Sequence, residues 1–214
     1  MIVSSKATDI IELLKGQLIV SCQDYVEVMV EAAIRGGAAG LRINNPVNVS
    51  LALNKTELPI VACNKMRYPN SPVYITPSIR AALALIKNGA TIVALDCTQR
   101  HRVREQPTEI IAAIHENGAL AVADLSCFQD AVYSIEAGAD ILATTLTSKF
   151  DADFIRLLSA FGLPVLAEGG INTPELAKVA IDAGAWAICV GTAITKPHLI
   201  TKNFKDALSE QHGV

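Results

Sequence analysis

Lys65, in the stretch CNKMRYPNSPVYITP, and Glu168, in LAEGGINTPE, are the residues of this chain best suited to move a proton on and off carbon. An amine and a carboxylate on opposite sides of a planar enolate can remove a proton from one face of a carbon next to a carbonyl and return it to the other. To act as a base near neutral pH the lysine needs its pKa lowered, by desolvation or by a neighbouring cation such as Arg42, and the glutamate needs its pKa raised. The plainer alternative for Lys65 is a loop cation paired with a surface carboxylate. Two glycine turns offer a second chemistry. AEGGINTPE, with Gly169 and Gly170, and VGTAITKP, with Gly191 and Thr192, each end an apolar run ahead of a helical segment. Such turns present bare backbone N–H groups and helix N-termini to a phosphate dianion, and Lys196 follows the second of them. Tight turns without a ligand would have the same composition.

The elements that must position these residues are written in a repeated phrase: a helical apolar stripe, a glycine, then a short apolar run ending in polar residues. It occurs in AAIRGGAAGLRIN, ALIKNGATIVALD, AAIHENGALAVAD, SIEAGADILATT, LSAFGLPVLAEGG and AIDAGAWAICVG. Gly37, Gly89, Gly118, Gly138, Gly162 and Gly184 stand where a helix ends in a left-handed residue, and the runs that follow are too short for anything but strands. With GQLIVS and LPIVAC the count is eight, starting near Leu18, Gly40, Ile60, Thr91, Leu120, Asp140, Pro164 and Trp186. The runs are apolar throughout, as in a parallel sheet covered on both faces. Eight such strands in 214 residues, with no G-x-G-x-x-G after the first, favour an α/β fold of the (β/α)₈ TIM-barrel type over a doubly wound open sheet. The expectation is a single barrel domain over residues 1–214, with a short N-terminal helix capped by Thr8 or Asp9. The segment from Asn64 to Pro77 is the longest irregular connection and a candidate functional loop.

In a TIM barrel the reactive groups sit at the C-terminal ends of the strands. Read in order, those ends carry Ser21 and Gln23, Arg42 and Asn44, Asn64 and Lys65, Asp96, Asp124 and Ser126, Thr144 and Thr145, Glu168 with its glycines, and Gly191 with Thr192. Lys65 and Glu168 follow the third and seventh strands, which lie opposite each other in a ring of eight. Asp124 could orient Lys65 or accept a hydroxyl, or cap the helix near Phe128. The amide of Gln23 suits an acyl group or a hydroxyl, or the helix from Asp24. Arg100, His101, Arg102 and Arg104 read as a solvated rim with one or two arginines that draw an anion inward. Trp186, which opens the eighth strand, reads as core rather than contact.

The composition narrows the classes of partner. The chain is 51% hydrophobic, 18% charged and 5% aromatic, which excludes disorder, and no apolar run reaches the length of a membrane span. A formal net charge of -3 without long runs of one sign speaks against nucleic acid and anionic membrane as partners. The 5 cysteines include no C-x-x-C pair and read as reduced thiols in a cytoplasmic protein; no metal and no cofactor is expected. A small phosphorylated molecule is the expected ligand, and a homodimer is compatible with the sequence.

The segments VSCQ (Gln23), GLRIN (Arg42), K-x-x-Y-P-x-S-x-V-x-I-T-P (Lys65 to Pro77), ALD-x-T-x-R-x-R (Asp96 to Arg102), ADLS (Asp124), TTL, AEGGINTPE (Glu168) and VGTAIT resemble, in order, the N-acylglucosamine-6-phosphate 2-epimerase family. The resemblance covers almost the whole chain. It implies a barrel without metal or nucleotide that interconverts N-acetylmannosamine 6-phosphate and N-acetylglucosamine 6-phosphate in amino sugar and sialic acid catabolism. It further implies that Lys65 and Glu168 are the catalytic pair, that Gln23, Arg42 and Asp124 contact substrate, and that Gly169, Gly170, Gly191, Thr192 and Lys196 hold its phosphate. Two positions depart from the family pattern: Gly170 replaces a basic residue, and Lys196 replaces an arginine, keeping the charge but not the bidentate fork. Lys149, in the divergent TSKF segment, could restore a cation at the rim.

Three alternatives remain on the sequence. A pentose-phosphate 3-epimerase usually needs His and Asp ligands at strand ends, where none of His101, His115, His198 and His212 falls. A Schiff-base aldolase would use Lys65 as a covalent imine. A non-catalytic sugar-phosphate barrel has no need of an opposed acid and base.

Overall fold

The computed structural model describes residues 5–147 and 149–209, and its eight parallel strands close on themselves in chain order. The strands are β1 (Leu18–Cys22), β2 (Gly40–Asn44), β3 (Ile60–Cys63), β4 (Ile92–Asp96), β5 (Leu120–Asp124), β6 (Ile141–Ala143), β7 (Val165–Glu168) and β8 (Ala187–Val190). Each begins within a residue of the position that the repeated phrase predicts. Pairing of Ile19 with Cys189 closes β1 on β8, so no sheet edge is left to solvent. The fold is a TIM barrel.

The helices are α1 (Ser5–Leu14), α2 (Val26–Arg35), α3 (Pro46–Leu53), α4 (Ile79–Lys87), α5 (Pro107–Glu116), α6 (Phe128–Glu136), α7 (Ala152–Ser159), α8 (Pro174–Asp182), α9 (Thr192–Thr195) and α10 (Pro197–Ser209). All six glycines of the helix-to-strand turns have positive φ. Gly184 shows the constraint most directly: at φ 98° an added Cβ would also meet the Ser159 side chain at 2.8 Å. The N-terminal helix starts at Ser5, so Thr8 and Asp9 fall inside it and neither caps it. Leu14, fully buried, carries α1 into the floor of the barrel, and the Trp186 indole Nε1 donates to the Ile11 carbonyl at 2.8 Å.

Strand periodicity divides the apolar residues into two cores. Ile19, Val61, Cys63, Ile92, Ala94, Val122, Ile141, Ala143, Leu166 and Cys189 share the barrel interior. Their alternates, among them Val20, Leu41, Ile43, Ala62, Val93 and Ala121, pack outward under the helices. The same alternation sends Arg42, Asp96, Asp124 and Glu168 inward at the C-terminal end of the barrel. A hydrophobic interior thus ends in a layer of charges.

Candidate active site

At the C-terminal rim a cavity of about 360 Å³ is lined by Lys65, Glu168, Gln23, Lys196 and the turns Gly169–Gly170 and Gly191–Thr192, together with Ser21, Thr145 and Cys189. Lys65 and Glu168 therefore open onto one space from opposite strands. Lys65 is exposed; its backbone N–H donates to Asn44 Oδ1 at 2.8 Å, and its Nζ donates to Gln23 Oε1. Gln23 in turn donates from Nε2 to Ser21 Oγ at 3.0 Å. Helix α2 begins at Val26 with Tyr25 as its cap, so Gln23 caps nothing and instead holds the lysine.

Arg42 and Asp124 lie beneath this cavity rather than on it. Arg42 is 1% exposed and reaches Asp124 Oδ2 at 2.6 Å through Nη2 and Glu168 Oε2 at 2.7 Å through Nη1. Its guanidinium thus faces Glu168 and not Lys65, and it does not supply the cation expected beside the lysine. Asp124 is fully buried, and its second oxygen accepts from Thr145 Oγ1 at 2.6 Å. It neither orients Lys65 nor caps a helix, because α6 is capped at Cys127 with Asp130. Thr145 also lies 3.3 Å from Glu168 Oε2, while Thr144 Oγ1 donates to the Glu168 carbonyl at 2.8 Å and accepts from its N–H at 3.0 Å. Two adjacent threonines after β6 therefore fix Glu168 at backbone and carboxylate. The threonine pair was visible at a strand end, but its partners on β5 and β7 were not.

Burial pushes the Glu168 carboxyl above its ordinary value of 4.5 and Asp124 above 3.8, and Arg42 pulls both back only in part. A carboxyl that holds its proton more tightly folded than unfolded adds stability below its unfolded pKa and loses that stability as pH rises through its folded pKa. Glu168→Gln mimics the protonated acid and lacks this dependence. The stability of the wild type relative to Glu168→Gln should thus fall as pH rises from about 4.5, as urea denaturation at a series of pH values would record. Cys189 sits beside Glu168 in the cavity wall, but burial raises its thiol pKa well above the ordinary range, and Cys63 is pushed up to about 11. Both shifts favour the neutral thiol over the thiolate.

The arginines after β4 turn inward on protein groups. Asp96 accepts from Thr98 and from Arg100 and Arg102, and Arg104 stacks on the Tyr68 ring at 5.2 Å. The expected inward draw on an anion is not where these side chains point. The segment after β3 is less irregular than its prolines suggest: Lys65 and Ile75 form an antiparallel bridge, and Ser71 Oγ donates to the His101 carbonyl at 3.0 Å. This doubled-back loop supports Lys65 against the strand-four end.

Gly170 has a steric reason. At φ 70° its added Cβ would stand 2.4 Å from the Phe150 backbone nitrogen, so the β6–α7 loop occupies the space that a side chain would need. Gly170→Ala should lose at least about 1–2 kcal/mol from the left-handed backbone alone and should raise KM by displacing that loop. Thermal melting and a substrate titration check the two effects. Lys196, expected to face the phosphate turns, lines the cavity while paired with Asp24.

A family model described as "NanE: Putative N-acetylmannosamine-6-phosphate epimerase" matches residues 26–210. The chain belongs to the N-acetylmannosamine-6-phosphate epimerase family. It is 36% identical to a "Putative N-acetylmannosamine-6-phosphate 2-epimerase" of Clostridium perfringens, across 92% of this chain and 99% of that one. A protein of the same description from Pasteurella multocida is 37% identical, across 93% and 95%. The solved structure of the N-acetylmannosamine-6-phosphate 2-epimerase from Clostridium perfringens superposes with a TM-score of 0.88 at 35% identity, covering 92% of this chain and 95% of that chain. For this family member, the eight-stranded barrel and the cavity at its rim come from the chain itself.

Proposed function

We propose that this chain interconverts N-acetylmannosamine 6-phosphate and N-acetylglucosamine 6-phosphate by removing and replacing the proton at C2. The observation that carries the proposal is that Lys65 and Glu168 line one cavity from opposite strands, in a member of the epimerase family. In the open-chain sugar C2 is next to the C1 aldehyde, so loss of its proton gives a planar enolate. One of the two residues takes the C2 proton from one face, and the other donates a proton to the second face. Gln23 positions Lys65, and Arg42, Asp124 and the two threonines position Glu168. Substrate closing over the exposed Lys65 supplies the desolvation that the open site lacks.

The phosphate is proposed to sit on the backbone N–H groups of the Gly169–Gly170 and Gly191–Thr192 turns, with Lys196 as its cation and Lys149 at the rim. Lys149→Ala should raise KM by about threefold to tenfold with kcat retained, the scale of one exposed cation on a phosphate; an unchanged KM removes Lys149 from the site. Phosphosugars do not cross membranes unaided, which supports work in the cytoplasm, in amino sugar catabolism. Among the described residues, no helix is long and apolar enough to cross a membrane.

The test is incubation of the pure protein with N-acetylmannosamine 6-phosphate, ribulose 5-phosphate and a keto-deoxy sugar acid phosphate in parallel. Conversion of the first to its C2 epimer, with the others unchanged, is the expected result. Borohydride added during turnover, followed by intact mass, separates the imine alternative: a stable adduct at Lys65 would overturn the proton-transfer role.

A further inference from the structure

Strand β3 ends at Cys63 while its neighbour β4 runs on to Asp96, and their pairing stops at Ala62 with Val93. The C-terminal end of β4 therefore needs another partner on that side. The segment after β3 doubles back to supply it. The Asp96 N–H donates to the Ile75 carbonyl at 2.9 Å, and the Thr76 hydroxyl donates to the Ala94 carbonyl at 2.5 Å. Residues 75–78 are buried, so this return leg belongs to the barrel wall and not to a surface loop.

The outgoing leg carries Lys65. Thr76 N–H donates to the Asn64 carbonyl at 3.0 Å, and Met66 N–H donates to the Tyr74 carbonyl at 2.9 Å. Lys65 and Ile75 are thus the non-hydrogen-bonded pair of an antiparallel ribbon, the arrangement in which side chains on one face come closest. Ile75, 1% exposed, packs in the barrel interior, and Lys65 lines the cavity above it. The Asn64 N–H, one residue before the lysine, donates to Thr76 Oγ1 at 3.1 Å. One fully buried hydroxyl therefore joins the backbone beside Lys65 to β4.

Thr76 has φ 43°, and among the described residues it is the one β-branched residue with a positive φ. Glycine or asparagine takes this conformation at less cost. What threonine adds is the hydroxyl that accepts from Asn64 and donates to Ala94, and the structure around it over-determines the strained backbone. We infer that Thr76 is a positioning residue for Lys65: its hydroxyl locks the ribbon onto β4 and so fixes where the amine stands in the cavity. Gln23 holds the lysine Nζ from the end of β1 and Asn44 holds its N–H from β2, while Thr76 anchors it to β4. The consequence for catalysis rests on the proposed function; the positioning itself does not.

Thr76→Val keeps the shape of the side chain and removes the hydroxyl. It should lower kcat about 10- to 100-fold, the cost of displacing a reacting group by about 1 Å. KM should stay unchanged, because the glycine turns stand across the ring after β7 and β8. In D₂O the variant should lose C2 exchange for the same epimer as Lys65→Met does and keep it for the other, and Thr76→Ser, which retains the hydroxyl, should restore both. A full kcat in Thr76→Val, equal loss of both exchanges, or no rescue by serine would overturn the catalytic consequence. Should Thr76→Val fail to fold, Thr76→Ala, which leaves room for a bridging water, decides by the same split. Acetic anhydride labelling without substrate, read by peptide mass spectrometry, tests the positioning alone. Lys65 should label about two- to tenfold faster in the variant than in the wild type, the scale of one lost hydrogen bond to Gln23, with Lys178 on α8 as the unchanged reference. Unchanged labelling of Lys65 would overturn the inference whether or not any epimer forms, so its failure is distinct from failure of the epimerase function.

Discussion

Glu168→Gln should lower kcat by about 10²–10⁴-fold, the usual contribution of a positioned general acid or base, and Lys65→Met should do the same. The diagnostic part is what survives. If the two residues serve opposite faces of C2, each variant loses interconversion but keeps solvent exchange at C2 for one epimer, and the two variants keep it for different epimers. A merely structural loss would remove both exchanges together. Gln in place of Glu168 leaves Arg42 bonded to Asp124, and Lys65 is exposed, so both variants are expected to fold. NMR of each epimer in D₂O with each variant records the outcome, and Gln23→Leu should show a weaker version of the Lys65→Met pattern, since it frees the amine without removing it.

The second large effect concerns Arg42. Its guanidinium lies between two carboxylates on β5 and β7, with 1% exposure against 0% for Asp124 and 14% for Glu168. Arg42→Met removes the cation and leaves Asp124 buried without charge compensation, which should cost about 3–5 kcal/mol. The sign of the pH dependence follows. Both carboxyls already hold their protons above the ordinary values of 3.8 and 4.5, and loss of Arg42 raises them further. The variant is then least destabilised at acid pH, where both groups are protonated in folded and unfolded chain alike. The gap from wild type widens as pH rises above about 4–5. Arg42→Lys keeps a charge but not the fork that reaches both partners, so it should recover only part of the stability. Urea denaturation of the three proteins across pH measures this, and a gap that narrows with rising pH would contradict it.

The barrel was legible because its signals are local. A glycine after a helical stripe and a short apolar run fix each turn and strand start without knowledge of any distant contact. Lys65 and Glu168 were legible for the same reason: each follows a strand end, and eight strands place their strands opposite. What stayed hidden depends on contacts across the ring. The pairing of Arg42 with Asp124 and Glu168 emerges only when strand alternation and closure set it under Glu168, and Thr145 gains its role only when β5, β6 and β7 lie side by side. The arginines after β4 show the same limit, since Asp96 claims them from inside the barrel. Gly170 appeared to be a lost cation, whereas the Phe150 backbone leaves no room for a side chain.

The central claim is that the cavity between Lys65 and Glu168 exchanges the C2 proton of an N-acetylhexosamine 6-phosphate with inversion. N-acetylmannosamine 6-phosphate incubated with the wild-type protein in D₂O and followed by NMR tests it most directly. The predicted result is N-acetylglucosamine 6-phosphate carrying solvent deuterium at C2. No epimer at millimolar substrate, or an epimer that keeps its original proton, would contradict it.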